Sequence, residues 1–193
     1  MGNAGPVRYC IGVGAALWVA ACTPQIESST PLLETGADRL RPGLWALLND
    51  PCATPGDAEI FDWPQCAIPV RVRPGELTFF YLAPVRAGYI LSDGEPRIVQ
   101  ARLIERDVMA QEQSGTFGYY SFEALGEGPF ASGQVRVLRC PASDEMPIEG
   151  IALEEAAEDA HCEARTGEAV REAARRSLIR RPDWRAIWIA ELP

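Results

Sequence analysis

Between Pro42 and Cys140 the chain repeatedly alternates apolar with polar residues. The alternation is clearest in Ile68–Arg73, Val99–Leu103 and Gln134–Val137. Because successive side chains of a strand point to opposite faces, this period of two predicts strands with one face in a core and the other in solvent. Such strands are typical of an antiparallel sheet. The pattern leaves open whether the sheet stays open or closes into a barrel.

Aromatic segments and turn signals complete the predicted sheet. Thr78–Leu82 and Phe117–Phe122 are rich in aromatic residues, which favour strands. Asp93-Gly94 separates the apolar segments Tyr89–Leu91 and Ile98–Val99. An Asp-Gly pair between two such segments predicts a β-hairpin.

The last quarter of the chain changes to helical spacing. Apolar stripes within Leu153–Ala164 and Val170–Leu178 predict two helices, which are broken at Thr166-Gly167 with Thr166 as the N-cap. A short strand carrying Cys162 is the alternative for residues 160–165. Ala186–Leu192 is predicted as a final strand. The predicted fold class is α+β, an antiparallel sheet with C-terminal helices and a last strand.

Gly43-Leu44-Trp45 opens the strand region and resembles the Gly-x-Trp that lipocalins carry near their first strand. The order of strands, then a helix, then a final strand is also similar to that family. The resemblance implies a closed barrel that carries small apolar ligands, and some bacterial lipocalins are lipoproteins.

The first 22 residues have the pattern of an export signal. Arg8 precedes the apolar run Tyr9–Ala21, which is shorter than the roughly 20 residues that a transmembrane helix needs. The run ends in Val19-Ala20-Ala21-Cys22, which resembles the lipobox of bacterial lipoprotein precursors. That resemblance implies cleavage between Ala21 and Cys22 and acylation of Cys22, which would attach the protein to a lipid bilayer.

Two alternatives to the lipobox remain open: an ordinary secretory signal that leaves Cys22 a plain thiol, and a chance apolar N-terminus on a cytoplasmic protein. On the lipoprotein interpretation the chain divides into a signal peptide (1–21), a lipid anchor with a flexible tether (22–41) and one globular domain (42–193). The folded body would then face the periplasm. Thr23, in place of the Asp that favours inner-membrane retention in enteric bacteria, favours the outer membrane.

Charge and cysteine content limit the function classes further. The formal net charge of −9 disfavours binding to nucleic acid.

Beside Cys10 in the signal and Cys22, four cysteines remain, and an even number in an exported protein indicates two disulfides. Each of two pairs flanks one local segment, so we expect Cys52–Cys66 and Cys140–Cys162. The other two connectivities, a metal site and a redox pair or free thiol remain as alternatives.

The sequence contains no recognisable catalytic motif. His161 is the only histidine, and it is interpreted as an exposed helix residue beside Cys162. A Gly-x-Ser-x-Gly elbow, a P-loop and a dinucleotide fingerprint are absent from the sequence. We therefore expect a protein that is not an enzyme and that uses no cofactor or metal. A hydrolase using two of the 27 carboxylates remains an alternative.

Aromatic residues are the candidate contact residues for a ligand or partner, and they equally suit a domain core. Trp45, Tyr119 and Tyr120 are candidates in the strands. Trp63, within the presumed Cys52–Cys66 loop, suits either a partner contact or a lid over the core. The first functional hypothesis is a non-catalytic interaction domain for an envelope protein, which predicts a solid core. The second is a lipocalin-like carrier, in which Tyr119 and Tyr120 alternate between a cavity and the outside.

Overall fold

The structure is a computed structural model. It describes residues 24–37, 39–56, 59–80, 84–106, 116–125, 131–142, 144–154 and 161–192. The predicted signal, with its cleavage site at Ala21 and its lipidation site at Cys22, lies outside the described residues. Within the described part, no helix has both the length and the apolar character needed to cross a bilayer.

The described chain is mostly antiparallel β-structure with one short helix. Its elements are β1 (Ile26–Ser28), β2 (Gly43–Leu48), a 3₁₀ turn (Ile60–Asp62), β3 (Ala67–Arg73), β4 (Glu76–Phe80), β5 (Pro84–Ser92), β6 (Arg97–Arg106), β7 (Phe117–Ala124), β8 (Ser132–Val137), β9 (Ile151–Glu154), β10 (His161–Ala164), α1 (Gly167–Ser177) and β11 (Trp184–Ala190). The predicted strands are confirmed among the described residues, which exclude Tyr81 and Leu82, and the hairpin around Asp93-Gly94 is confirmed as well.

Eight of the strands close into an antiparallel barrel. The ring runs from β2 through β3, β4, β5, β6, β7 and β8 to β11, and β11 pairs with β2 again. The pairing of β6 with β7 closes what would otherwise be an open sheet. Closure pairs each of these eight strands on both sides, and the sheet continues beyond the barrel from β7 through β1 and β10 to β9.

The alternation of the sequence separates the inside of the barrel from its outside. On β2, Trp45 and Leu47 face the main core, whereas Leu44, Ala46 and Leu48 face outward into a smaller apolar cluster. Cys52, Trp63 and Ala67 belong to that outer cluster. Because both faces of β2 are covered, all six of its residues are buried.

Both predicted disulfides are present. Cys52–Cys66 closes the loop between β2 and β3, and Cys140–Cys162 joins the chain after β8 to β10. Trp63 lies in the first loop and is 8% exposed. Trp63 packs in the outer apolar cluster, and its role as a partner contact stays a prediction.

The predicted antiparallel sheet and last strand are confirmed, but the described chain contains one α-helix where two were predicted, so the fold is β-rich and not clearly α+β. Leu153 and Cys162, predicted on one helix, lie opposite each other on the paired strands β9 and β10. Hydrogen bonding to β1 and the disulfide to Cys140 hold β10 extended, so tertiary contacts override the helical spacing. The alternative strand at Cys162 is confirmed.

The second predicted helix exists as α1, and it begins where the sequence indicates. The Thr166 side chain accepts a hydrogen bond from the backbone N–H of Ala169 at 3.2 Å, as an N-cap does. The buried side of α1 packs on the outer face of the barrel. There the hydroxyls of Ser177 and Ser121, on β7, are hydrogen-bonded at 2.8 Å. The helix therefore covers the apolar outer side of β7.

The prediction of a flexible tether over 22–41 is wrong for its described part, which packs along the barrel. Ile26 and Leu33 are buried beneath α1. The Gln100 side-chain oxygen accepts hydrogen bonds from the backbone N–H groups of Leu32 and Leu33 at 2.9 and 3.1 Å. Polar composition suggested a tether, but these few apolar anchors and backbone hydrogen bonds order the segment.

Candidate functional site

The barrel encloses a cavity of about 90 Å³. Most of its lining is contributed by inward-facing apolar residues of the barrel strands. The lining comprises Leu40, Trp45, Leu47, Val70, Val72, Leu77, Phe79, Ala87, Val99, Ala101, Leu103, Thr116, Gly118, Tyr120, Phe122, Val135 and Ala186. No Asp, Glu, Arg or His is among these described lining residues.

Small residues at inward positions create the space. Ala87, Ala101, Gly118 and Ala186 occupy positions where a larger apolar side chain would fill the barrel. An eight-stranded barrel is just wide enough to be filled by its own side chains or to hold one small ligand. The cavity is well below the 300 Å³ or so at which pockets for drug-sized molecules begin, so it suits a compact group.

One end of the barrel, where β2 begins, is closed by the segment that leads into β2. Leu40 is buried against the barrel core. The Arg41 guanidinium lies over the Trp188 ring at 3.4 Å from its centroid. The indole N–H groups of Trp45 and Trp188 donate to the carbonyl oxygens of Arg41 and Pro42 at 2.8 and 3.0 Å. These contacts hold the segment across the barrel end.

At the opposite end, where β6 ends and β7 begins, the described lining residues are less completely buried. Ala101, Leu103 and Thr116 line the cavity there, and each is partly exposed. Val85 is an inward-facing neighbour and is also only partly buried. Apolar inward residues that remain partly exposed mark an entrance, which we call the mouth of the barrel.

Tyr120 supplies the buried polar group of the cavity. It lines the cavity and is 7% exposed. Burial raises the pKa of its hydroxyl, and the Glu27 carboxylate raises that pKa further. The hydroxyl is therefore neutral under physiological conditions and available as a hydrogen-bonding group.

The four aromatic candidates from the sequence occupy three different environments. Trp45 and Tyr120 line the cavity. Tyr119 lies on the outer face of β7, where its hydroxyl is hydrogen-bonded to the Ser28 hydroxyl. Trp63 belongs to the cluster under the disulfide loop. Tyr119 and Tyr120 thus alternate between the packed outer face and the cavity.

Several functional positions were not singled out from the sequence. An alanine in a strand does not by itself indicate a cavity, so Ala87 and Ala101 could not be recognised as lining residues. The strand alternation predicts only that their side chains point into the barrel. Glu27 lay in the presumed tether, and its pairing with β7 is a tertiary event. No signal in the sequence places Glu27 near Tyr120.

The described residues show no other site of recognisable chemistry. Among them, no group of three or more His, Cys, Asp and Glu residues could hold a metal ion. The side chain of His161 lies outside the described part of the structure. Comparison of the chain with family models, with curated proteins and with solved structures finds no significant match.

Proposed function

We propose that this protein is a non-catalytic binding protein that carries one small, compact apolar ligand inside its barrel. The observation that carries the proposal is the apolar cavity with partly exposed lining residues at its mouth. An interaction domain with a solid core would not need this space. The closed barrel also agrees with the lipocalin resemblance of Gly43-Leu44-Trp45.

The hydrophobic effect supplies the affinity in this proposal. A compact molecule entering the cavity removes apolar surface from water at about 25 cal/mol per Å². The lining residues offer no charged group that would have to lose its hydration. Charged substrates and hydrolysis by paired carboxylates receive no support from this lining.

Binding of toluene, measured by isothermal titration calorimetry at several temperatures, tests the proposal. We expect saturable binding with a negative heat-capacity change, the signature of apolar burial. Ala101→Phe places a ring in the mouth and should abolish binding. Ala53→Phe makes the same change at an exposed position of the disulfide loop and should leave binding intact. Absence of toluene binding, or equal binding by the two variants, would refute the cavity as a binding site.

We further propose that the protein is exported and attached to a bilayer through acylated Cys22, with its body in the periplasm and the outer membrane favoured. The lipobox supports this address, and two disulfides agree with an oxidising compartment. In a bacterial host, Cys22→Ser should move the protein from the membrane to the soluble periplasmic fraction and remove the acyl mass. Cys10→Ser, within the signal, is the matched control and should remain lipidated.

A further inference from the structure

The Tyr120 side chain brings a hydroxyl to the apolar cavity, and no hydrogen bond of the described residues involves that hydroxyl. Tyr120 is 7% exposed and lines the cavity. A tyrosine hydroxyl in an apolar site usually finds a hydrogen-bond partner. A cavity ligand with a hydrogen-bonding group would supply the missing partner.

The other polar side chains of the lining do not compete for this role. The Trp45 indole N–H already donates to the Arg41 carbonyl oxygen at 2.8 Å. Thr116 is partly exposed at the mouth, so solvent can satisfy its hydroxyl. Tyr120 is therefore the deep polar contact that remains open to a ligand.

Glu27 brings a carboxylate close to Tyr120. Glu27 on β1 lies directly opposite Gly118 on β7, and opposite residues of an antiparallel pair project to the same face. Gly118 lines the cavity, so Glu27 is placed beside the mouth. No ion pair of the described residues involves Glu27. An anion entering the barrel would meet this carboxylate, which no described residue neutralises in an ion pair.

We propose that the ligand is an uncharged apolar molecule with one hydroxyl or carbonyl oxygen that hydrogen-bonds the Tyr120 hydroxyl, and that anionic ligands such as carboxylates are rejected at Glu27. This inference rests on the proposed function, and it names the chemical class of the ligand. The raised pKa of Tyr120 agrees with it, because the neutral hydroxyl persists and the cavity disfavours negative charge.

Four probes of nearly equal size test the inference on the purified, disulfide-bonded protein: toluene, benzyl alcohol, benzoate and benzylamine. Tyr120→Phe removes only the hydroxyl. It should weaken benzyl alcohol binding about fivefold, the value of one neutral hydrogen bond, and leave toluene binding unchanged or slightly tighter. Tyr119→Phe removes a hydroxyl on the outer face of the same strand, and it should leave both affinities as they are.

The charge selectivity has its own measurement. Benzoate should bind far more weakly than benzyl alcohol to the wild type, and Glu27→Gln should strengthen benzoate binding without altering toluene binding. Benzoate affinity equal to that of benzyl alcohol would overturn the role of Glu27. If benzylamine binds more tightly than benzyl alcohol, the role of Tyr120 as the ligand's hydrogen-bond partner is overturned. The Glu27 carboxylate would then be the group that holds the ligand.

Failure of the proposed function and failure of the proposed ligand class give different binding results. If none of the probes binds the wild-type protein, the proposed function is refuted, and the ligand class is refuted with it. If toluene binds but Tyr120→Phe leaves benzyl alcohol unaffected, the cavity remains a binding site and only the hydrogen-bond anchor is wrong. The expected result is loss of benzyl alcohol affinity alone.

Discussion

Removing the disulfides one at a time gives a quantitative test of how this fold is stabilised. The two cross-links span 14 residues for Cys52–Cys66 and 22 residues for Cys140–Cys162. In the chain-entropy model, these loops correspond to about 3.0 and about 3.4 kcal/mol of stability through restriction of the unfolded chain. The double variants Cys52→Ala/Cys66→Ala and Cys140→Ala/Cys162→Ala should lose these amounts.

Urea denaturation followed by tryptophan fluorescence measures both losses. The denaturant slope should rise in each variant, because the unfolded chain without its cross-link exposes more surface. For a domain of this size, 3.4 kcal/mol corresponds to a fall in melting temperature of about 7–14 °C. The wild type reduced with dithiothreitol is the control, and it should be at least as destabilised as either double variant.

A loss below about 1 kcal/mol in both double variants would contradict the chain-entropy reasoning. A much larger loss for the pair Cys140–Cys162 than for Cys52–Cys66 would show that native contacts dominate instead. Cys162 is 2% exposed within the packed outer layer, so cavity formation is the contact-based alternative.

Three further predictions concern single residues. Gly133→Ala should destabilise the barrel by about 2 kcal/mol in urea denaturation, because a Cβ there lies 2.5 Å from the Phe122 ring; a neutral or stabilising effect would show that the ring moves freely. Thr166→Ala should cost about 1 kcal/mol by loss of the N-cap to the Ala169 N–H, whereas Thr166→Ser should retain most of it; equal losses would contradict the cap. Burial raises the pKa of Tyr120, so its contribution to stability is fully present below the ordinary tyrosine pKa of about 10 and is lost as pH rises further. Absorbance at the phenolate band should therefore show this group ionising only together with unfolding, and Tyr120→Phe should resist alkaline unfolding better; ionisation of Tyr120 near its ordinary pKa in the folded protein would refute this.

The β-strands were predictable because their signal is local. Ile68–Arg73 and Gln134–Val137 alternate with a period of two, and each lies in a barrel strand. Trp45 and Tyr120 were proposed as contacts because large aromatic residues dominate apolar sites. Alternation alone also implied that Tyr119 and Tyr120 point to opposite sides of the sheet.

The prediction of the first helix was wrong because apolar spacing gives only a local preference for a helix. Pairing with neighbouring strands fixes the conformation that the segment adopts. Leu153 and Ala164 match a helical stripe, yet β9 and β10 extend the sheet beside β1. β1 itself comes from the segment that polar composition marked as a tether. A strand of three residues has little local signal, and its pairing with β7 and β10 depends on chain far away in sequence.

The sequence by itself determined the strand phases and the N-cap of the helix at Thr166, because each depends on residues that are near one another along the chain. It favoured one pairing of the four cysteines, and the structure decided between the three connectivities. Tertiary structure alone decided that the sheet closes between β6 and β7, and that small inward residues leave a cavity. It also brought Glu27 beside the mouth near Tyr120. Closure of the barrel, the volume of the cavity and the position of Glu27 each depend on contacts between strands that are distant in sequence. No local pattern therefore encodes them.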